Sequence, residues 1–134
     1  LLVKLVRTAS LSLRVSTPPA ESKECAAAKR YIDENYSRTI TLDSLAEIAH
    51  VNKYYLSHSF KREYGTSPID YLMKRRITEA KALLTSTDFS LTQIAEQIGF
   101  RSLAYFSKCF RKVEDISPNE YRKTAARKAP PGNL

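Results

Sequence analysis

The chain has 134 residues, 22 Lys and Arg against 14 Asp and Glu, a formal net charge of +8 and 43% hydrophobic residues. That is enough for one modest core or two very small ones, with no sign of global disorder. No apolar run approaches the roughly 18 residues of a membrane span, the leading apolar run is interrupted by Lys4 and Arg7, and Cys25 and Cys109 match neither a disulfide framework nor a metal-ligand spacing. These features point to a reduced, cytoplasmic protein without a metal, a cofactor or a membrane partner.

The chain begins at Leu1, so a longer parent is expected. Leu2, Leu5, Val6, Ala9 and Leu13 follow helical spacing, although Leu11, Leu13 and Val15 also fit the end of a strand. Residues 16–23 read as a linker held extended by Pro18 and Pro19. A domain starts near Glu24 with a helix to Tyr36, its apolar face made by Ala28, Tyr31, Ile32 and Tyr36. Thr41 caps a short helix carrying Leu42, Leu45, Ala46 and Ala49, and the chain turns at His50 and Val51. Asn52 caps the next helix, with Leu56, Phe60 and Tyr64 inward, and Gly65 ends it in a left-handed conformation. Ser67 and Pro68 then open a helix of about 20 residues through Tyr71, Leu72, Ile77, Ala80, Leu83 and Leu84 to about Ser86, about 30 Å long at about 1.5 Å per residue. Ser90 caps a helix with Leu91, Ile94, Ala95 and Ile98, Gly99 and Phe100 turn, and a helix from about Ser102 places Phe106 and Phe110 inward. Asp115 stands where the earlier helix has Gly65, Ser117 and Pro118 open the last helix through Tyr121, and residues 124–134 read as a loose basic tail.

This grammar is a repeat. Tyr55, Ser57, Phe60, Ser67, Pro68 and Tyr71 find identical residues fifty positions later, whereas Leu42, Ala46 and Glu47 find theirs after forty-nine. One residue has therefore been added between Ala95 and Tyr105, as a turn between helices tolerates. The charge is patterned with the repeat. Residues 1–23 carry +3 and Arg127 with Lys128 add +2, leaving only +3 for 24–123. Within that body Lys53, Lys61 and Arg62, then Arg101, Lys108, Arg111 and Lys112, fall on the second helix of each pair, while the first helices hold only Asp43, Glu47 and Glu96. Cations concentrated on the second helix of each pair and missing from the first are what a duplex-facing surface requires.

The runs IAEQIGFRSLAYFSKCFRK at 94–112 and ISPNEYR at 116–122 resemble the signature of the AraC/XylS family of bacterial transcription activators. LAEIAHVNKYYLSHSFKREYGTSPIDYL at 45–72 and RRITEAKALL at 75–84 resemble it too, so the likeness covers residues 24–123 and not 1–23. It implies an all-α unit of about seven helices: two helix-turn-helix modules, 24–66 and 87–123, joined by a long central helix, 67–86. By the same resemblance the protein binds promoter DNA and recruits RNA polymerase, and the stripe at 1–15 is either the end of a dimerisation helix from an upstream regulatory domain or a remnant.

In a helix-turn-helix the second helix lies in the major groove, and side chains facing away from the core reach the bases. Helical spacing turns Tyr54, Ser57, His58 and Lys61 outward in the first copy, and Leu103, Ala104, Ser107, Lys108 and Arg111 in the second. The resemblance assigns base contact to Tyr54, Ser57, His58, Ala104, Ser107 and Lys108. Lys53, Lys61, Arg62, Arg101, Arg111 and Lys112 are the candidates for phosphate. Asp115 and Glu114 depart from the family pattern of glycine and an aromatic, and the apolar Leu103 and Ala104 suit thymine methyls. The rival reading is a helical interaction module whose basic faces meet an acidic protein. An enzyme is not the expectation: there is no G-x-S-x-G, no Gly-rich phosphate loop, and most serines sit at caps.

Overall fold

A computed structural model describes residues 22–128, and the readings for residues 1–15 and for 16–21 lie outside the described residues. Among the described residues there are seven helices and no strand: α1 (Lys23–Asn35), α2 (Leu42–Ala49), α3 (Lys53–Tyr64), α4 (Pro68–Ser86), α5 (Leu91–Gln97), α6 (Leu103–Glu114) and α7 (Pro118–Lys128). None of them is long and apolar enough to cross a membrane.

Each helix begins where a polar side chain takes up an orphan amide. The Ser22 hydroxyl accepts from Cys25 N–H at 3.1 Å, Asn52 Oδ1 from Tyr55 N–H at 2.8 Å, Ser67 Oγ from Asp70 N–H at 3.2 Å and Ser102 Oγ from Tyr105 N–H at 3.1 Å. Thr41 with Ser44, Ser90 with Gln93, and Ser117 with Glu120 exchange reciprocal hydrogen bonds. Helices α3 and α6 end alike, on Gly65 at φ 76° and Asp115 at φ 70°. At the far end α7 continues through Lys128, so residues 124–128 are helical where a loose tail is expected. Arg122 ties that helix down: its Nε donates to the Leu84 carbonyl at 3.0 Å and its Nη2 to the Thr87 carbonyl at 3.3 Å.

The buried residues fall into two clusters. Cys25, Ala28 and Ile32 of α1, Leu45 of α2 and Leu56 and Phe60 of α3 close around Leu72 of α4. Further along α4, Ile77, Ala80 and Leu84 pack with Ile94, Ile98, Phe100, Phe106 and Phe110. Tyr71 and Tyr121, core residues by spacing, are half-buried lids set edge-on to Phe60 and Phe110 at 5.8 and 5.6 Å. Helix α4 belongs to both clusters and is the beam between the two lobes.

The turns locate the added residue. Val51 N–H bonds the Ala46 carbonyl at 3.1 Å, and Phe100 N–H bonds the Ala95 carbonyl at 2.9 Å, so the two turns match with an offset of forty-nine. The caps that follow, Asn52 and Ser102, match with an offset of fifty. The extra residue is Arg101.

Candidate nucleic-acid interface

Helix α3 buries Leu56, Ser59 and Phe60 and turns its other side to solvent. Tyr54 is 72% exposed, His58, Lys61 and Arg62 are exposed, and Ser57 is half-buried at the edge of the face. Helix α6 repeats this: Phe106 and Phe110 go inward, Leu103, Ala104, Lys108, Arg111 and Lys112 are exposed with Arg101 just before them, and Ser107 is half-buried. The two serines therefore line the flanks of the candidate faces, and the larger side chains form their crests.

Both basic helices carry one glutamate that would oppose an anionic ligand, and in each the fold turns it away. Glu63 Oε1 accepts the Ser22 N–H at 2.8 Å, a hydrogen bond that holds this carboxyl below the ordinary glutamate range. Glu114 accepts from Lys81 Nζ of α4 at 3.2 Å. Two candidate phosphate ligands have intramolecular partners at the surface, Lys53 with Asp43 at 3.5 Å and Arg111 with Glu120 at 3.6 Å. Among the described residues Lys61, Arg62, Arg101, Lys108 and Lys112 hold no ion pair, so their charge is open to a ligand.

Between the two helices runs a groove of about 420 Å³. Lys61 of α3, Lys74 of α4 and Lys112 of α6 line it together with one carboxylate, Asp70 of α4, and Ile69, Met73 and Val113 supply apolar wall. Lys74 is a cation that the sequence reading passes over. The available signal is its place on the exposed stripe Asp70, Lys74, Thr78 of the central helix, visible once the buried stripe Leu72, Ile77, Ala80 is assigned. Arg76 is passed over as well. It occupies a core position between Leu72 and Ala80 and is only 6% exposed.

The sequence from residue 45 to 124 matches the helix-turn-helix domain family, more than half of the chain. Among solved structures, the C-terminal domain of AraT, a response regulator from Geobacillus stearothermophilus, is 40% identical with a TM-score of 0.75, over 78% of this chain and 88% of that one. A probable AraC family transcriptional regulator from Rhodopseudomonas palustris is 26% identical with a TM-score of 0.69, over 78% of this chain and 98% of that one. The chain belongs to the AraC family of transcription regulators. The DNA-binding domain of AdpA, a global transcriptional factor solved in complex with a target DNA, shares 26% identity and a TM-score of 0.77 over 83% of this AraC-family chain and all of its own. The HTH-type regulator YisR of Bacillus subtilis is 39% identical over 83% of this chain, and PocR of Salmonella typhimurium 30% over 87%. The chain spans 39% of the length of each of these two full relatives. What it carries is an AraC-type helix-turn-helix DNA-binding domain, an all-α unit in which two helix-turn-helix modules share one long helix.

Proposed function

We propose that this domain reads double-stranded promoter DNA sequence-specifically by placing α3 and α6 in successive major-groove segments on one side of the duplex. The observation that carries the reading is that the two helices border a single groove, with a lysine from each and Lys74 of α4 between them. Along one side of B-DNA, neighbouring major-groove segments are about 34 Å apart and a minor groove with its two phosphate strands lies between. Helix α4 has 19 residues and spans about 28 Å. That the DNA-binding domain of AdpA was solved in complex with a target DNA supports a DNA ligand for this domain.

In this reading Tyr54, Ser57 and His58, then Ala104, Ser107 and Lys108, meet base edges, with Ala104 placed for a thymine methyl. Lys53, Lys61, Arg62, Arg101, Arg111 and Lys112 take phosphates, and Lys74 joins them over the central strands. Residues 24–66 and 87–123 act as the two modules and 67–86 as their spacer. Activation by recruitment of RNA polymerase, and pairing of two chains through an upstream region, are proposed on family resemblance.

The test pairs one residue of each class on duplexes selected from a random pool. A phosphate contact contributes about −0.9 to the slope of log affinity against log salt. Arg111→Ala should weaken all sequences about equally and make that slope shallower by about this amount, while Lys108→Ala and Ser57→Ala should change the ranking among sites. Loss of discrimination from Arg111→Ala, with the ranking untouched by Lys108→Ala, would reverse the assignment.

A further inference from the structure

The two lobes meet at a seam that the binding chemistry does not use. The loop after α1, residues 36–40, lies against the turn between α5 and α6. Gly99 in that turn adopts φ 100°, and a β-carbon there would stand 2.8 Å from the Ser37 carbonyl oxygen and 3.0 Å from its Cα. Two things call for glycine there: a φ well beyond the φ 60° that the equivalent turn residue His50 adopts with an ordinary side chain, and the approach of the other lobe. Arg76 of α4 spans this seam. Its Nε donates to the Tyr36 carbonyl at 2.6 Å, its Nη2 donates to the Arg38 carbonyl at 2.8 Å, and its guanidinium lies 5.5 Å from the ring centre of Phe100. Tyr36 and Arg38 belong to the loop of the first lobe; Phe100 belongs to the core of the second. Burial pushes the Arg76 pKa down, from a value so high that the group stays charged at neutral pH.

Arg122 makes the same two-carbonyl grip from α7, but on Leu84 and Thr87 at the end of α4, within its own lobe. We infer that Arg76 is a positioning residue that fixes the orientation of α6 relative to α3 and so sets the half-site spacing the domain accepts. This rests on the two-groove reading above. A planar fork bound to two carbonyls at once resists rotation in a way that apolar packing does not. The discrimination at stake is large, because each base pair inserted between half-sites turns the second major groove by about 34°.

The experiment uses duplexes selected from a random pool by the wild-type chain, rebuilt with the half-sites moved one to three base pairs closer or further apart, together with duplexes holding a single half-site. The wild type should show a sharp optimum in spacing. Arg76→Gln should lose about tenfold or more on the optimal duplex and flatten the spacing profile, with single half-site affinity within about twofold of wild type, because the two lobes no longer bind as one preset unit. Arg76→Lys, with a charge but no fork, should fall between. Gly99→Ala attacks the same seam from the other lobe and should flatten the profile too. Gly65→Ala is the control, since its φ of 76° brings similar backbone strain but nothing lies within 4 Å of the added carbon, and it should leave the optimum sharp.

Should Arg76→Gln fail to fold in thermal melts, the contrast between Gly99→Ala and Gly65→Ala decides. A wild-type spacing optimum in folded Arg76→Gln, or in Gly99→Ala, overturns the inference. Absence of salt-dependent duplex binding by the wild type would instead overturn the two-groove reading itself.

Discussion

Glu63 is the acidic residue of the basic helix α3, and its carboxylate holds the amide of Ser22, where the chain enters α1. The amide hydrogen bond, strengthened by the nearby Ser22 and Cys25 side chains and opposed by burial, lowers the pKa of the folded state. A carboxyl with a depressed folded pKa stabilises the fold fully above its unfolded value, about 4.3 for glutamate, and loses that contribution as pH falls through the lowered folded value. Glu63→Gln should therefore cost roughly 1 kcal/mol at pH 7, the value for a charged hydrogen bond discounted for partial exposure. The difference from wild type should shrink in melts taken below about pH 4.3 and keep falling with further acidification, and a difference constant from about pH 7 down through that range would contradict this origin. Glu120 is held low by the Ser117 amide in the same sense, so the acid limb of the melting curve has more than one source.

At the level of elements, each lobe depends on a few aromatic side chains carried by the same helix that presents the cations. Phe106 and Phe110 are fully buried and stand 5.9 Å apart with Phe106 also against Phe100 at 5.4 Å, and their helix offers Lys108 and Arg111 on the opposite side. Phe106→Ala removes a whole ring from a closed site, which costs about 3–5 kcal/mol, a large part of the roughly 5–15 kcal/mol that holds a small domain folded. Because the clusters are distinct, the damage should be graded along the chain. Amides of α5, α6 and α7 should lose protection in hydrogen exchange first, while those of α1 and α3 stay slower to exchange. Equal loss in both lobes would mean that α4 couples them into one cooperative unit.

For the whole molecule, the proposed two-groove mode turns on how the two cationic faces are spaced along a duplex. In that mode the joining helix, about 28 Å long, is shorter than the groove repeat of about 34 Å, and bending of the DNA toward the protein would close the difference. One chain should protect about two helical turns in footprinting, and gel shifts should give weak binding to duplexes of a single turn. Tight monomeric binding to a one-turn duplex would remove the need for the second helix in the groove. The basic faces were legible in the sequence because Lys61, Arg62, Lys108, Arg111 and Lys112 are spaced against the buried phenylalanines. Lys74 was not, since its relation to Lys61 and Lys112 exists only after α4 has brought both lobes beside it.

The chain by itself determined the helices, their order and their repetition. Caps such as Asn52 on Tyr55 or Ser102 on Tyr105 join residues three apart, and apolar stripes at helical period are local as well, so a reader of the sequence meets both partners together. Tertiary structure alone decided how the halves face each other. Arg76 finds its carbonyls about forty residues away, Glu63 its amide forty-one away and Lys81 its carboxylate thirty-three away. Gly99 matters because of Ser37. Such pairs carry no periodicity; they arise where two packed lobes happen to bring a donor to an acceptor, and geometry in space is what selects them.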